Sequence, residues 1–247
     1  MKAYFLSDLH LKSEDKDKAK LFINFLSSID HNVSHLVLLG DVFDFWIGDR
    51  AYFQKKFPQV VSQIQRIVQL GTEVHYFEGN HDIHLKKFWE KNVGVRVHPG
   101  RHVFHFGSLK VRAEHGDLMN PQDKGYLFLR WLLRTKPLEI LAHRIPGSLV
   151  GWVGERSSQV SRVYTNRITK NYTQGVLNFT RTYAMQECQK DPFDLIITGH
   201  THVKDDFEFN AEGKKSRSVN LGSWLDQPKV FEVTQDHQQF IYLVLPV

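Results

Sequence analysis

Five short apolar runs, each closing on a cluster of aspartate, histidine or asparagine, constrain this chain more than any other feature of its sequence. Ala3–Leu6 leads into Asp8-Leu9-His10, Leu36–Leu39 into Gly40-Asp41-Val42-Phe43-Asp44, and Val74–Phe77 into Gly79-Asn80-His81-Asp82. Leu109–Val111 leads into Glu114-His115-Gly116-Asp117, and Leu195–Ile197 into Gly199-His200-Thr201-His202. Short apolar runs bounded by turn residues read as buried strands. Between them Leu21, Phe22, Phe25, Leu26 and Ile29 keep helical spacing. Phe53, Phe57, Val60, Ile64, Ile67 and Val68 keep it more strictly, over what reads as one continuous helix. Beyond residue 200 the pattern predicts only short strands and turns, such as Asn210-Ala211-Glu212-Gly213. The alternation predicts an α/β sandwich, with strands inside and helices outside.

In open α/β sheets the carboxyl ends of the strands form the functional crevice, so five such clusters converge on one place. Asp8 and His10 are two apart, as are His200 and His202, and on extended backbone each pair projects to one side. Glycines before Asp41, Asn80 and His200, and after His115, suit turns where the backbone comes close to something. The chain has 14 histidines and a single cysteine, Cys188, which excludes a disulfide framework and any site built from several thiolates. Nitrogen and oxygen donors favour manganese, iron, zinc or cobalt over copper(I) or an iron–sulfur cluster. The seven candidates Asp8, His10, Asp41, Asn80, His115, His200 and His202 exceed what one ion needs. Two ions about 3.5–4 Å apart, bridged by a carboxylate, would use them all and suit in-line attack at phosphorus. Each cluster alone is a weak signal; five in order at strand ends are a specific one. The remaining nine histidines (His31, His35, His75, His84, His98, His102, His105, His143 and His237) read as ordinary surface or satisfied polar residues.

With 247 residues, 41% hydrophobic and 24% charged, the composition suits one globular domain carrying an insertion. The N-terminus reaches Asp8 too soon for a signal peptide, and Gly125–Gly154 is broken by charges and prolines, so a cytosolic location is expected. The net charge of +5 is uneven: Lys124–Lys170 holds nine basic and two acidic residues, leaving the rest slightly acidic. Tyr126 to Leu133 and Leu138 to Trp152 interleave aromatic and aliphatic side chains with those charges. Apolar residues nearly all round a helix imply burial against the sandwich or contact with lipid, and basic flanks suit anionic headgroups. Nucleic acid is disfavoured, since these aromatics form a stripe rather than a spaced stacking platform.

The ordered set Asp8-x-His10, Gly40-Asp41-x-x-Asp44, Gly79-Asn80-His81-Asp82, His115 and Gly199-His200-x-His202 resembles the calcineurin-like metallophosphoesterase superfamily from residue 5 to about residue 225. The resemblance implies a four-layer α/β/β/α sandwich, a single domain over 1–247 with a helical cap insertion at 123–172. It also implies two metal ions, one held by Asp8, His10, Asp41 and His202, the other by Asp41, Asn80, His115 and His200. Asp41 would bridge them. A metal-bound hydroxide would be the nucleophile, with His81 protonating the leaving oxygen and Asp44 supporting its charged form.

After Asp44 comes Phe45-Trp46-Ile47-Gly48-Asp49, where protein serine/threonine phosphatases carry arginine and glycine. This extension, with Ser7-Asp8-Leu9-His10-Leu11, His115-Gly116-Asp117 and Leu221-Gly222-Ser223-Trp224, resembles the UDP-2,3-diacylglucosamine diphosphatases of lipid A synthesis. That resemblance implies release of UMP and 2,3-diacylglucosamine 1-phosphate, with two divalent ions, manganese first and iron, zinc or cobalt open. It implies substrate contacts from Asn80, His81, Asp123, Tyr126, Ser161, Asn166, Lys170 and His200. It further implies peripheral attachment to the cytoplasmic face of the inner membrane through the cap, with no obligate protein partner evident. One departure stands out: many of those enzymes have arginine where this chain has His81. Arginine can only neutralise phosphate charge, whereas histidine can transfer a proton. A different metallophosphoesterase, a nucleotide phosphodiesterase or phosphomonoesterase using His81 as general acid, therefore stays open, as does a metal-containing scaffold without catalysis.

Overall fold

A computed structural model describes residues 1–211, 213–225 and 227–244; the side chains of 141–143, 153, 155 and 157–172, within helices, lie outside the description. The first part of the chain runs β1 (Lys2–Leu6), α1 (Lys16–Ser28), β2 (His35–Leu38), β3 (Trp46–Ile47), α2 (Ala51–Lys56), α3 (Pro58–Gln69) and β4 (Glu73–Phe77). It continues through β5 (Asp82–Ile83), α4 (Lys86–Phe88), a π-helical turn at Trp89–Val93, β6 (Arg96–His98), β7 (His102–Phe106) and β8 (Leu109–Ala113). Three helices follow, α5 (Lys124–Leu133), α6 (Lys136–Arg144) and α7 (Gly147–Lys190). The chain then returns through β9 (Leu195–Thr198), β10 (Asp205–Ala211), β11 (Lys214–Asn220), β12 (Lys229–Thr234) and β13 (Gln238–Tyr242).

Two sheets stack face to face. One has the order β13-β12-β1-β2-β4-β6, the other β10-β11-β9-β8-β7. The neighbours β1, β2, β4 and β6 are parallel, as are β8, β9 and β11, while β12, β13, β10 and β7 run antiparallel to their partners. A central parallel strand is covered on both faces and so reads as an unbroken apolar run. Around β2, Leu36 and Leu38 point outward to Phe22, Leu26, Ile64 and Ile67 of α1 and α3. Val37 and Leu39 point inward, where Phe5 and Phe77 meet Phe106, Val111, Leu195, Ile197 and Val219 of the second sheet. The last turns of α7 cover that sheet's far face, with Ala184 and Cys188 on Phe193, Ile196 and Phe209. These three apolar layers make the four-layer α/β/β/α sandwich.

The helix expected across Phe53–Val68 is two helices. Phe57 leaves the helical region at φ −130°, ψ 48° and caps α3, whose first residue is Pro58. Proline lacks the N–H that would continue α2, and its ring disfavours helical backbone in the residue before it. The apolar spacing survives because α3 still buries Val60, Ile64 and Ile67 on the sheet. Among the described residues no helix is long and apolar enough to cross a membrane.

The start of α7 docks on α2 through small residues. A Cβ on Gly151 would lie 2.4 Å from the Tyr52 ring, and one on Gly154 2.4 Å from the Phe45 ring. The expectation that the helices either bury their apolar stripe or offer it outward now resolves in part. Phe128 is 61% exposed, Trp131 62% and Trp152 54%, with Leu129, Ile140 and Leu149 exposed beside them in sequence.

Candidate metal centre

The loops after β1, β2, β4, β8 and β9 bring all seven expected ligand residues together. His10 Nε2 lies 3.0 Å from His202 Nε2, and His202 Nε2 lies 3.3 Å from Asp8 Oδ1. Asp41 Oδ2 stands 3.9 Å from His10 Nε2 and 3.6 Å from His115 Nε2. On the far side Asn80 Oδ1 is 3.2 Å from His115 Nε2 and 3.0 Å from His200 Nδ1. Asp41 is thus common to two groups, one with Asp8, His10 and His202, the other with Asn80, His115 and His200.

The extended-backbone rationale for the two pairs does not hold. Asp8, His10, Asp41, His200 and His202 all adopt left-handed backbone, with φ between +47° and +67°. Non-glycine residues there are strained, so surrounding contacts must impose the conformation. Those contacts are visible: Asp8 N and His10 N donate to the carbonyls of Gly40 and Asp41 at 3.2 and 3.0 Å. His200 N donates to Asp8 Oδ2 at 2.9 Å, and Ser223 Oγ to the Asp8 carbonyl at 3.0 Å. The glycine expectation finds support, since a Cβ on Gly79 would fall 2.0 Å from Asp41 Oδ1 and one on Gly199 2.5 Å from Asp8 Oδ2.

Asp82 supports the site from below, a role the sequence reading did not assign it. Its buried carboxylate accepts from the amides of Asp41, Val42 and Gly79 at 3.0, 2.9 and 2.9 Å, and from Tyr76 Oη at 2.7 Å. Burial and then the Asp41 charge push its carboxyl up to about 6. The only sequence signal was its place at the end of the Gly-Asn-His-Asp string.

Electrostatics favour cations here. Burial works against charge on Asp8, yet His202 and other histidines hold it below the usual carboxylate range. Burial likewise opposes charge on His115, but Asp41 and Asp8 hold its imidazole at about 9. His10 is pushed well down by its burial. His115 Nδ1 faces the Leu39 carbonyl at 2.7 Å and donates to it, so Nε2 carries the free lone pair when the ring is neutral. Two buried carboxylates and opposed imidazole nitrogens at these spacings fit divalent ions whose ligand bonds run about 2.0–2.2 Å. The donor set therefore fits a metal pair.

His81 and Asp44 border this cluster. His81 Nε2 lies 3.9 Å from Asp41 Oδ2, while its Nδ1 is 3.0 Å from the main-chain carbonyl of Asp44. The Asp44 carboxylate Oδ1 lies 4.0 Å from His10 Nδ1. The carbonyl can accept only an N–H, which points the other nitrogen of His81 into the site.

The helices over the site are tied to it. Tyr126 Oη donates to Asp117 Oδ2 at 2.7 Å and Arg130 Nε to the same oxygen at 2.6 Å. Burial opposes charge on Asp117, but His115 and Arg130 bring it down to about 2. Arg134 Nη2 donates to the Gly79 carbonyl at 2.9 Å. In the sequence Arg130 and Arg134 stand out only as charge; their i, i+4 spacing beside Tyr126 is the signal that points to this role. Asp123 is exposed and caps α5 by accepting from Tyr126 N at 2.9 Å. The side chains of Ser161, Asn166 and Lys170 lie outside the described residues.

The chain is similar to several curated relatives named UDP-2,3-diacylglucosamine hydrolase. The one from Psychromonas ingrahamii is 27% identical over 241 residues, covering 96% of this chain and 95% of its own. The one from Pseudomonas aeruginosa is 27% identical over 243 residues, covering 97% and 98%. Among solved structures, an archaeal phosphodiesterase gives a TM-score of 0.49 at 14% identity, over 98% of this chain and all of that one. The family pattern described as calcineurin-like phosphoesterase matches residues 1–204, from the first strand through the last histidine pair. The chain therefore belongs to the calcineurin-like phosphoesterase family.

Proposed function

We propose that this protein is a metal-dependent hydrolase that cleaves the diphosphate of UDP-2,3-diacylglucosamine, giving UMP and 2,3-diacylglucosamine 1-phosphate. One observation carries the reading beyond family membership: α5 grips the metal cluster through Asp117 and Gly79 while exposing Phe128, Leu129 and Trp131. A substrate joining a diphosphate to two acyl chains needs those two environments side by side. The full-length relatives of that name support it.

In this reading Asp8, His10, Asp41 and His202 hold one divalent ion and Asp41, Asn80, His115 and His200 the other, manganese being the first candidate, with iron, zinc or cobalt as alternatives. A metal pair supplies Lewis acidity at the phosphoryl oxygens and an activated water. His81, its Nδ1–H held by the Asp44 carbonyl, would present a protonated Nε2 to the substrate, give that Nε2 proton to the departing oxygen and be left as the neutral Nδ1–H tautomer. Asn80, His81 and His200 line the diphosphate, and Tyr126 stands over it, its ring 6.3 Å from that of His200. Asp123, Ser161, Asn166 and Lys170 are the remaining substrate contacts in this assignment. Residues 123–172 act as a cap on a single domain, and their basic, apolar surface rests on the cytoplasmic leaflet of the inner membrane.

The test is UMP release from the lipid sugar nucleotide by purified protein with manganese, abolished in Asp41→Ala. Hydrolysis of aryl phosphates with the lipid substrate left intact would replace this reading with a general phosphoesterase. His81, where arginine is common in the resembling diphosphatases, is the observation that favours that second reading.

A further inference from the structure

Four histidines that read as unremarkable in sequence meet at one edge of the sandwich. His35 opens β2, His75 lies inside β4, His98 ends β6 and His102 opens β7. β6 is the edge strand of one sheet and β7 the edge strand of the other. His75 is only 2% exposed, while His98 and His102 are half-buried and reachable from solvent. His75 Nδ1 and His98 Nε2 lie 2.9 Å apart, and the ring centroids of His98 and His102 are 4.4 Å apart. One ring nitrogen from each of His75, His98 and His102 falls within 4.8 Å of the others.

We infer that His75, His98 and His102 form a further metal site, separate from the phosphoesterase centre, for a zinc-class divalent cation that cross-links the edges of the two sheets. Imidazole nitrogens about 2.0–2.1 Å from zinc stand roughly 3.3 Å from one another in a tetrahedral shell, so modest closure brings all three into range. A half-buried edge leaves the fourth position to water. His75 ligates through Nδ1, which places its proton on Nε2, 3.4 Å from His35 Nδ1. That contact orients the ligand ring as second partners do in metal sites. The charged neighbours are Glu73, whose Oε2 is 3.7 Å from His75 Nε2, Arg96, whose Nη1 pairs with the same oxygen at 2.6 Å, and Lys86, whose charge acts on His98. Despite that pairing, the Arg96 charge still works against protonation of His75, His98 and His102. Burial and mutual repulsion keep the imidazoles unprotonated near neutral pH, His75 down at about 3 and His98 at about 4. Three deprotonated nitrogens without a carboxylate suit zinc, nickel or copper(II) over magnesium or calcium.

The test uses the full-length protein dialysed against Zn2+ alone, with total zinc counted per folded chain. Counting total zinc makes exchange at the phosphoesterase centre irrelevant. The wild type is expected to hold one zinc more per chain than His102→Gln or His98→Gln, and to gain a zinc-dependent rise in Tm that both variants lose. Hydrolytic activity should be unchanged in His102→Gln. Equal zinc content in wild type and folded variants overturns the site. Should both variants misfold, zinc anomalous scattering from wild-type crystals decides: a peak between the three imidazoles is expected, and its absence overturns the proposal.

Discussion

The amide of His81 donates to Asp41 Oδ1 at 3.0 Å, and this bond turns the other carboxylate oxygen toward His10 and His115. Forty positions separate the two residues, and their geometry makes Asp41 the shared member of both ligand groups. The tight approach of Gly79 holds the carboxylate from one side, and Asp82 holds the Asp41 main chain from below.

Gly79→Ala is expected to lower activity by about 10–100-fold and to shift the manganese requirement to higher concentration, as loss of a ligand's support does. The added methyl would overlap Asp41 Oδ1 at 2.0 Å and approach Asp41 N at 2.8 Å, so the bridging carboxylate must turn. A manganese titration of hydrolysis reads this directly; an unchanged curve refutes it.

Asp82→Asn leaves an amide group facing donors that the carboxylate now satisfies. An unmet buried donor costs about 1–3 kcal/mol, so urea unfolding should report a loss of about that size or more. Stability equal to wild type would mean that the loop is held by other contacts.

Arg130→Ala removes the 2.6 Å pairing with Asp117 that ties α5 to the centre. KM for the lipid substrate should rise about tenfold, on the order expected for a lost charge-assisted hydrogen bond. The rate on a small aryl phosphate should hardly move. Equal effects on both substrates would show that Arg130 serves the chemistry rather than the cap.

Trp131→Ala and Trp152→Ala truncate side chains that are 62% and 54% exposed, so Tm should stay within about 1 °C, as for surface changes. Flotation with vesicles containing anionic lipid should fall several-fold, because each ring supplies apolar area at the interface. Undiminished flotation would place the membrane contact elsewhere.

Acid stability should fall off early. Buried His75 and half-buried His98 are depressed to about 3 and 4, below the unfolded value near 6.5, so the unfolded chain binds more protons between those limits. Their contribution is complete above about pH 6.5 and declines as pH drops toward 4. His98→Gln should flatten the pH dependence of urea unfolding between pH 6.5 and 4.5, by on the order of 1 kcal/mol after solvent screening of this half-buried ring. An identical slope in the variant would remove His98 as the cause.

Much was legible because strand runs and their polar ends are local facts of the chain. Buried parallel strands are apolar on both faces, so β1, β2, β4, β8 and β9 announced themselves, together with the residues at their carboxyl ends. β6 and β7 did not, since Arg96-Val97-His98 and His102–Phe106 mix polar and apolar residues at a sheet edge. Pro58 was readable as a helix break, yet uninterrupted apolar spacing on either side concealed it.

By itself the sequence determined which chemistry the chain can carry, because nitrogen and oxygen donors in a set order at strand ends are written residue by residue. Only the tertiary structure decided the left-handed backbone at Asp8, His10, His200 and His202, the turn of Asp41 and the support from Asp82. It alone gathered His75, His98 and His102 from three strands and left Trp131 and Trp152 in solvent. The reason is physical: hydrophobic periodicity says which face of an element is buried, whereas a hydrogen bond or ligand group depends on atoms that meet only after distant segments pack. His10 and His202, 192 positions apart and 3.0 Å from nitrogen to nitrogen, are the clearest case.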